Sequence, residues 1–178
     1  MAASRGPVRY AVVGLGHIAQ GSILPAFAHA SPGCRLQAIV SGDPEKLSVL
    51  GDRYDVPVRG SYAEYERCLR EVDAVFICLP NTLHAEYTVR AAQAGVHVLC
   101  EKPLATTDAD CDRMIVACRE AGVKLMTAYR LHFEPVTLEM LGRIHGGDIG
   151  EPRYFTSAFS MRAKPGGIRT RRDLGGGT

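Results

Sequence analysis

The chain has 178 residues, 46% hydrophobic and 22% charged, with a formal net charge of +2. That balance fits a globular domain and excludes the compositions of disordered, collagen-like and disulfide-dense chains. Acids and bases are interspersed, which argues against a nucleic-acid partner, and no apolar run approaches the roughly 20 residues that cross a bilayer, which argues against a membrane one.

The predicted elements alternate from the start. Val8–Val13 reads as a first strand and Ile18–Ala30 as the helix behind it. Between them lies Gly14-Leu15-Gly16-His17-Ile18-Ala19. Gly14 permits a tight turn, Gly16 leaves the backbone open to a diphosphate, and Ala19 is small enough for close packing of helix on strand. The N–H groups that open the helix, around His17 and Ile18, face the phosphates, and the helix dipole adds attraction. Leu36–Val40 predicts a second strand and Pro44–Tyr54 a helix. Tyr62–Leu69 predicts a short helix, Ala74–Leu79 a strand, and Leu83–Ala94 a helix closed by Gly95. Val96–Cys100 is a further strand. Thr107 and Asp110 resemble a capping box opening a helix over Asp108–Ala121, closed by Gly122, and Lys124–Thr127 is a last strand.

Short apolar strands alternating with helices predict an α/β fold on a doubly wound parallel sheet. Its ligand crevice lies beyond the strand C-termini. That rule selects Gly14–Ala19, Ser41-Gly42, Leu79–Thr82, Glu101–Pro103 and Tyr129-Arg130 as the rim. After about Pro135 the pattern changes: a helix to about Arg143, a loop, an alternating segment Arg153–Ser160 that predicts a half-exposed strand, and a glycine- and arginine-rich end from Gly166. Cys34, Cys68, Cys78, Cys100, Cys111 and Cys118 form no CxxC pair and no zinc spacing, so buried free thiols are expected and no metal. His132 and Glu134 alone are too few ligands for one. Free thiols, and the lack of an apolar core in Met1–Arg9, point to the cytoplasm.

Together the rim segments carry a resemblance. GLGHIA at Gly14–Ala19, VSGDPEK at Val40–Lys46, LPNTLH at Leu79–His84, EKP at Glu101–Pro103 and YRLHFEP at Tyr129–Pro135 occur in the order found in the Gfo/Idh/MocA oxidoreductases. The chain looks most like the glucose–fructose oxidoreductase branch. The resemblance implies a Rossmann nucleotide domain over residues 1–128 and the start of an open-sheet α/β domain over 129–178. It implies an NAD(P)-dependent enzyme that transfers hydride between nicotinamide and a sugar or polyol. Arg171 to Thr178 resembles the lead-in to the family's second proton-handling segment, so the chain is expected to stop just before it, with most of the open sheet missing. The family often assembles as homo-oligomers through that sheet; with most of the sheet absent here, the oligomeric state stays open. The competing reading is a non-catalytic NADP-binding sensor or partner-binding protein.

Individual residues sharpen this. An acid ending the second strand would bond the ribose 2′-hydroxyl and select NAD; here Asp43 precedes Pro44 and reads better as a helix cap. Ser41 and Lys46 are then left for a 2′-phosphate, with Gly42 beside them touching the cofactor, so NADP is expected, with NAD possible. Lys102 is the leading catalytic candidate, since hydride transfer to or from a carbinol carbon needs a proton moved at its oxygen. Glu101 is its neighbour, and an ion pair between them is the plainer alternative. Leu79, Pro80 and Asn81 are expected to touch the cofactor. His84 reads as a residue of the first helical turn and also as a cofactor-binding and second proton-handling candidate near the nicotinamide or substrate; the two readings are compatible. Arg130 is placed by the resemblance on the nicotinamide side, or in packing between domains. The cationic run Arg162, Lys164, Arg169, Arg171 and Arg172 lacks interleaved aromatics and reads as a loop closing over an anionic cofactor or as a solvated one.

Overall fold

The computed structural model describes residues 6–30, 32–160 and 170–174. Six strands form one parallel sheet: β1 (Val8–Val13), β2 (Cys34–Val40), β3 (Val58–Gly60), β4 (Ala74–Ile77), β5 (His97–Cys100) and β6 (Leu125–Thr127), in spatial order β3-β2-β1-β4-β5-β6. Successive side chains on a strand point to opposite faces. Ala11 and Val13 therefore join Ala38, Val40, Val75 and Ile77 on one face, and Val12 joins Ile39 and Phe76 on the other. The first face is covered by α3 (Tyr65–Leu69), α4 (His84–Gln93) and α5 (Asp108–Glu120), through Tyr65, Leu69, Ala91, Met114 and Cys118. The second is covered by α1 (Leu24–Ala30) and α2 (Pro44–Arg53), through Leu24, Phe27 and Leu50. Val12, Val13, Ile39, Val40 and Ile77 are all fully buried. Each such side chain contributes about 1.5–3 kcal/mol of transfer free energy, which is why the central strands read as continuous apolar runs.

The helix ends follow local chemistry. The Asp43 carboxylate accepts from Lys46 N at 3.1 Å with Pro44 at the first helical position, so Asp43 caps α2 as expected. Thr107 Oγ1 accepts from Asp110 N at 3.1 Å and caps α5. Gly95 and Gly122 close α4 and α5 with φ of +75° and +68°. A capping box that the sequence reading passed over, Ser61 with Glu64, opens the short turn Tyr62–Glu64 ahead of α3.

Three expectations need correcting. The helix behind β1 is not regular: a π-turn, Ala19–Ile23, precedes α1, with Leu24 N donating to Ala19 O. Pro25 has no N–H to give the carbonyl one turn back, so the ladder widens just before it. Strand β3 was not anticipated; it has three residues, one of them Arg59, and pairs with Ala38–Val40 at the sheet edge. The segment 153–160 is not a strand. It finds no partner ladder among the described residues, and Tyr154, Phe155 and Phe159 are more than four-fifths exposed. The cysteines are free, four of them buried, with Cys34 and Cys111 partly exposed. Helix α6 (Pro135–His145) forms as expected, with Val136, Leu138 and Met140 exposed. Arg162, Lys164 and Arg169, and Gly175 to Thr178, lie outside the described residues. Among the described residues no helix is long and apolar enough to cross a membrane.

At the opposite end of the sheet from the strand C-termini, Arg9 and Asp73 lock β1 to β4. The Asp73 carboxylate accepts from Arg9 N at 2.8 Å, Nε at 3.0 Å and NH2 at 2.7 Å. The guanidinium bond holds the Asp73 carboxyl below its ordinary range. A depressed folded value means the pair's stabilisation is present above the unfolded value and is lost as pH falls through the folded one. Asp73→Asn should lower the melting temperature at neutral pH, and the gap to the parent should close as pH drops below about 4. A gap that persists unchanged in acid would assign the effect to packing instead.

Candidate functional site

Register builds the site. Val13 stands opposite Val40 and Ile77, Ile77 opposite Cys100, and Cys100 opposite Thr127. The residues just beyond these strand ends are tied across the sheet: Gly14 N to Val40 O (2.9 Å), Ser41 N to Gly60 O (3.1 Å), Cys78 N to Val13 O (2.8 Å), Glu101 N to Ile77 O (3.0 Å) and Ala128 N to Cys100 O (2.8 Å). All the loops picked out by the sequence thus leave the sheet along one edge. The strand order reverses between β1 and β4, and a doubly wound sheet opens its crevice there.

On one wall of that crevice is the glycine turn. Gly14 has φ +91°, and a Cβ on it would lie 2.7 Å from Cys78 O and 3.0 Å from Leu79 Cδ2. A Cβ on Gly16 would meet nothing within 4 Å. The first glycine is required by the fold, and the second faces open space where a diphosphate can reach the backbone. Leu15 and Ala19 are buried beneath the turn, while His17 and Ile18 are exposed on it. This cradle fits a dinucleotide diphosphate.

Beside it, at the end of β2, Ser41 is buried and its Oγ accepts from Asp43 N at 3.1 Å, leaving the hydroxyl hydrogen to donate elsewhere. Lys46 Nζ lies 3.1 Å from Asp43 Oδ2, so without a ligand the lysine rests on its own cap. Hydrogen bonds from Lys46 hold the Asp43 carboxyl below its ordinary range. Gly42 is packed by Tyr62, whose ring would stand 3.1 Å from a Cβ there. Tyr62 was missed in the sequence, where it looked like an ordinary helix residue; its distance of some twenty positions from Gly42 hid the contact.

On the other wall, Leu79 is buried and Pro80 and Asn81 are partly exposed, leading into the turn Asn81–Leu83. Helix α4 starts at His84 with Leu83 at its N-cap and no side-chain cap. His84 does not reach the rim. It is fully buried, with Nε2 3.0 Å from Leu79 O and Nδ1 2.9 Å from Pro103 O. Lys102 is exposed and precedes Pro103 through a cis peptide bond. The Glu101 carboxylate turns back to accept from the Lys102 amide at 3.2 Å rather than from its side chain. Arg130 extends into solvent, 3.9 Å from Glu134, and Tyr129 is also exposed, beside His132. The short turn Arg172–Leu174 packs against Asn81–Leu83, so the chain's last described residues return to this rim.

The floor is inert. Burial pushes the Cys78 thiol far above its usual range and the Cys100 thiol up to about 12. Both are held as neutral thiols at neutral pH. Among the described residues no three His, Cys, Asp or Glu side chains are grouped to hold a metal ion.

A family model described as an oxidoreductase family with an NAD-binding Rossmann fold matches residues 8–129. The chain belongs to the Gfo/Idh/MocA oxidoreductase family. Among its curated relatives, a dTDP-3,4-didehydro-2,6-dideoxy-α-D-glucose 3-reductase of Actinomadura kijaniata is 38% identical over 98% of this chain and 52% of its own length. An NADP(+) D-xylose 1-dehydrogenase of Haloferax volcanii is 35% identical over 95% of this chain and 52% of the relative. Among solved structures, a 3-ketoreductase from Actinomadura kijaniata with NADP and TDP-benzene superposes with TM-score 0.87 at 37% identity, covering 96% of this chain and 52% of the other. An aldose-aldose oxidoreductase from Caulobacter crescentus, with glycerol, gives TM-score 0.76 at 45% identity over 79% of this chain and 43% of the other. The chain spans about half the length of the Gfo/Idh/MocA relatives it matches.

Proposed function

We propose that this chain is the nucleotide-binding part of an NADP-dependent oxidoreductase acting on a CH–OH group of a sugar or polyol. The observation that carries this reading is the single edge on which register gathers the glycine turn, the Ser41–Lys46 segment, the Leu79–Asn81 loop and the Glu101–Lys102 loop. Three of the relatives named above are named for a sugar or aldose, and two are named with NADP. The free cysteines fit a cytoplasmic setting.

In this reading Gly14, Gly16, His17, Ile18 and Ala19 form the diphosphate cradle, with His17 and Ile18 offering N–H groups and Ala19 closing the packing behind them. Ser41 and Gly42 receive the adenosine ribose, and Lys46 leaves Asp43 for the 2′-phosphate. Tyr62, against Gly42, walls the same pocket. Leu79, Pro80 and Asn81 line the opposite side, and Glu101, Lys102 and Arg130 frame the nicotinamide end. A nicotinamide held there would supply the hydride exchange with the sugar carbon. The protein's part is to exclude the wrong face and to manage one proton. Lys102 holds or releases it at the substrate oxygen, from a loop whose backbone is fixed to β4.

The cofactor preference is testable on this chain directly. NADPH should bind more tightly than NADH, by titration of the reduced nicotinamide's emission. Lys46→Ala should weaken NADPH by about tenfold, the worth of one charge-assisted bond, and leave NADH unchanged. Equal loss for both would place Lys46 outside the 2′-phosphate pocket. In the full-length protein, binding without turnover across a panel of sugars would favour the sensor reading.

A further inference from the structure

We infer that His84 is a positioning residue that joins the two loops flanking the nicotinamide end, and that it does not itself exchange a proton with substrate. The inference rests on the functional reading above. His84 is the first residue of α4 and is fully buried. Its two ring nitrogens point in opposite directions, one to Leu79 O at 3.0 Å and one to Pro103 O at 2.9 Å. Leu79 belongs to the loop after β4, which carries Pro80 and Asn81. Pro103 belongs to the loop after β5, which carries Glu101 and Lys102. The imidazole is therefore a rigid spacer between two carbonyls nineteen and five positions away along the chain.

Both partners are acceptors. The ring donates to at least one of them, and to both when doubly protonated. In either form its nitrogens are turned inward, with no face left for a substrate oxygen. The Pro103 carbonyl it holds directly follows Lys102. Glu101 N is anchored to Ile77 O on one side of Lys102, and on the other Pro103 O lies 2.9 Å from His84 Nδ1, which donates to it when that nitrogen carries the proton. The lysine stem thus leaves a backbone fixed at both flanks, although its head is exposed. The Cys100 thiol, pointing to Leu104 O at 3.9 Å, adds only a weak tie to the same loop. Holding a proton-handling group within an ångström of its productive place is worth about a hundredfold in rate, so a spacer here has a function beyond packing.

The test uses three probes on the parent, His84→Phe and His84→Gln: 2′,5′-ADP, which fills only the adenosine half; NADPH; and amide hydrogen exchange. His84→Phe should bind 2′,5′-ADP as the parent does and lose the change in NADPH emission. Exchange should rise at residues 79–83 and 101–106 and stay unchanged in β1 and β2. His84→Gln, which keeps one amide donor, should lie between the two. In the catalytically active protein, kcat should fall by about a hundredfold in His84→Phe, with KM for NADPH little changed and partial rescue in His84→Gln. If the parent itself ignores both nucleotides, the functional reading fails. If the parent binds and either variant that folds shows parental emission and parental exchange in both loops, the spacer inference is wrong. Should His84→Phe not fold, His84→Gln decides by the same readouts.

Discussion

Replacing Lys102 with methionine should leave NADPH affinity within about twofold of the parent and lower sugar turnover by about 10²–10⁴-fold, the usual worth of a positioned acid–base group. Methionine keeps the length and apolar stem and removes only the ammonium. The backbone at this position is set by Glu101 N on Ile77 O and by the carboxylate of Glu101 on the Lys102 amide, and neither depends on the side-chain nitrogen. The substitution should therefore be silent in the fold and in the cofactor's grip, and visible in kcat. Paired measurement of the NADPH dissociation constant and of steady-state rates in the catalytically active protein decides it. Turnover that survives within about threefold would move the proton to another group, since a loss that small is below what acid–base catalysis contributes.

The two glycines of the first turn should behave in opposite ways. Gly14→Ala puts a methyl group 2.7 Å from Cys78 O at a φ of +91°, where an L-residue is strained. The backbone strain alone costs about 1–3 kcal/mol, and the collision with a main-chain oxygen adds to it because neither strand end can retreat. Gly16→Ala meets nothing within 4 Å in the free protein, so its denaturation midpoint should match the parent's. In the proposed reading its added methyl stands where a diphosphate would approach the backbone, and NADPH affinity should drop at least about tenfold, or 1.4 kcal/mol. Denaturant unfolding and nucleotide titration on both variants separate a glycine needed to fold from one needed to bind. A Gly16→Ala protein that binds NADPH like the parent would remove the diphosphate from this turn.

Much of the architecture was readable because its signals are local. The run Tyr10–Val13 followed by Gly14 and Gly16, an Asp–Pro helix opening at Asp43, and closing glycines at 95 and 122 each announce an element within a few residues. The loops that line the crevice followed from strand alternation, because a parallel doubly wound sheet puts every strand C-terminus on one edge. What escaped depended on partners far along the chain. Strand β3 has little apolar character and exists because β2 offers an edge to Val58–Gly60. Segment 153–160 has the alternation but no neighbour to pair with among the described residues. The setting of His84 escaped for a related reason: a histidine next to a loop motif looks available, and only the fold shows its ring nitrogens set against Leu79 O and Pro103 O. Lys46 was placed correctly one turn into its helix, yet its ion pair with Asp43 is a competition the spacing did not reveal. Tyr62 needed the fold for the same reason.

The five cross-strand bonds at Gly14, Ser41, Cys78, Glu101 and Ala128 have an energetic consequence. Because those loops hold their shape only while the strands beneath them are paired, an unfolded chain has no nucleotide pocket, and mass action makes the coenzyme a stabiliser of the sheet. At a hundred times its dissociation constant, a ligand confined to the native state adds about 2.7 kcal/mol, a sizeable share of a small domain's total. Under the functional reading proposed above, a rising supply of coenzyme would lengthen the folded lifetime of this polypeptide.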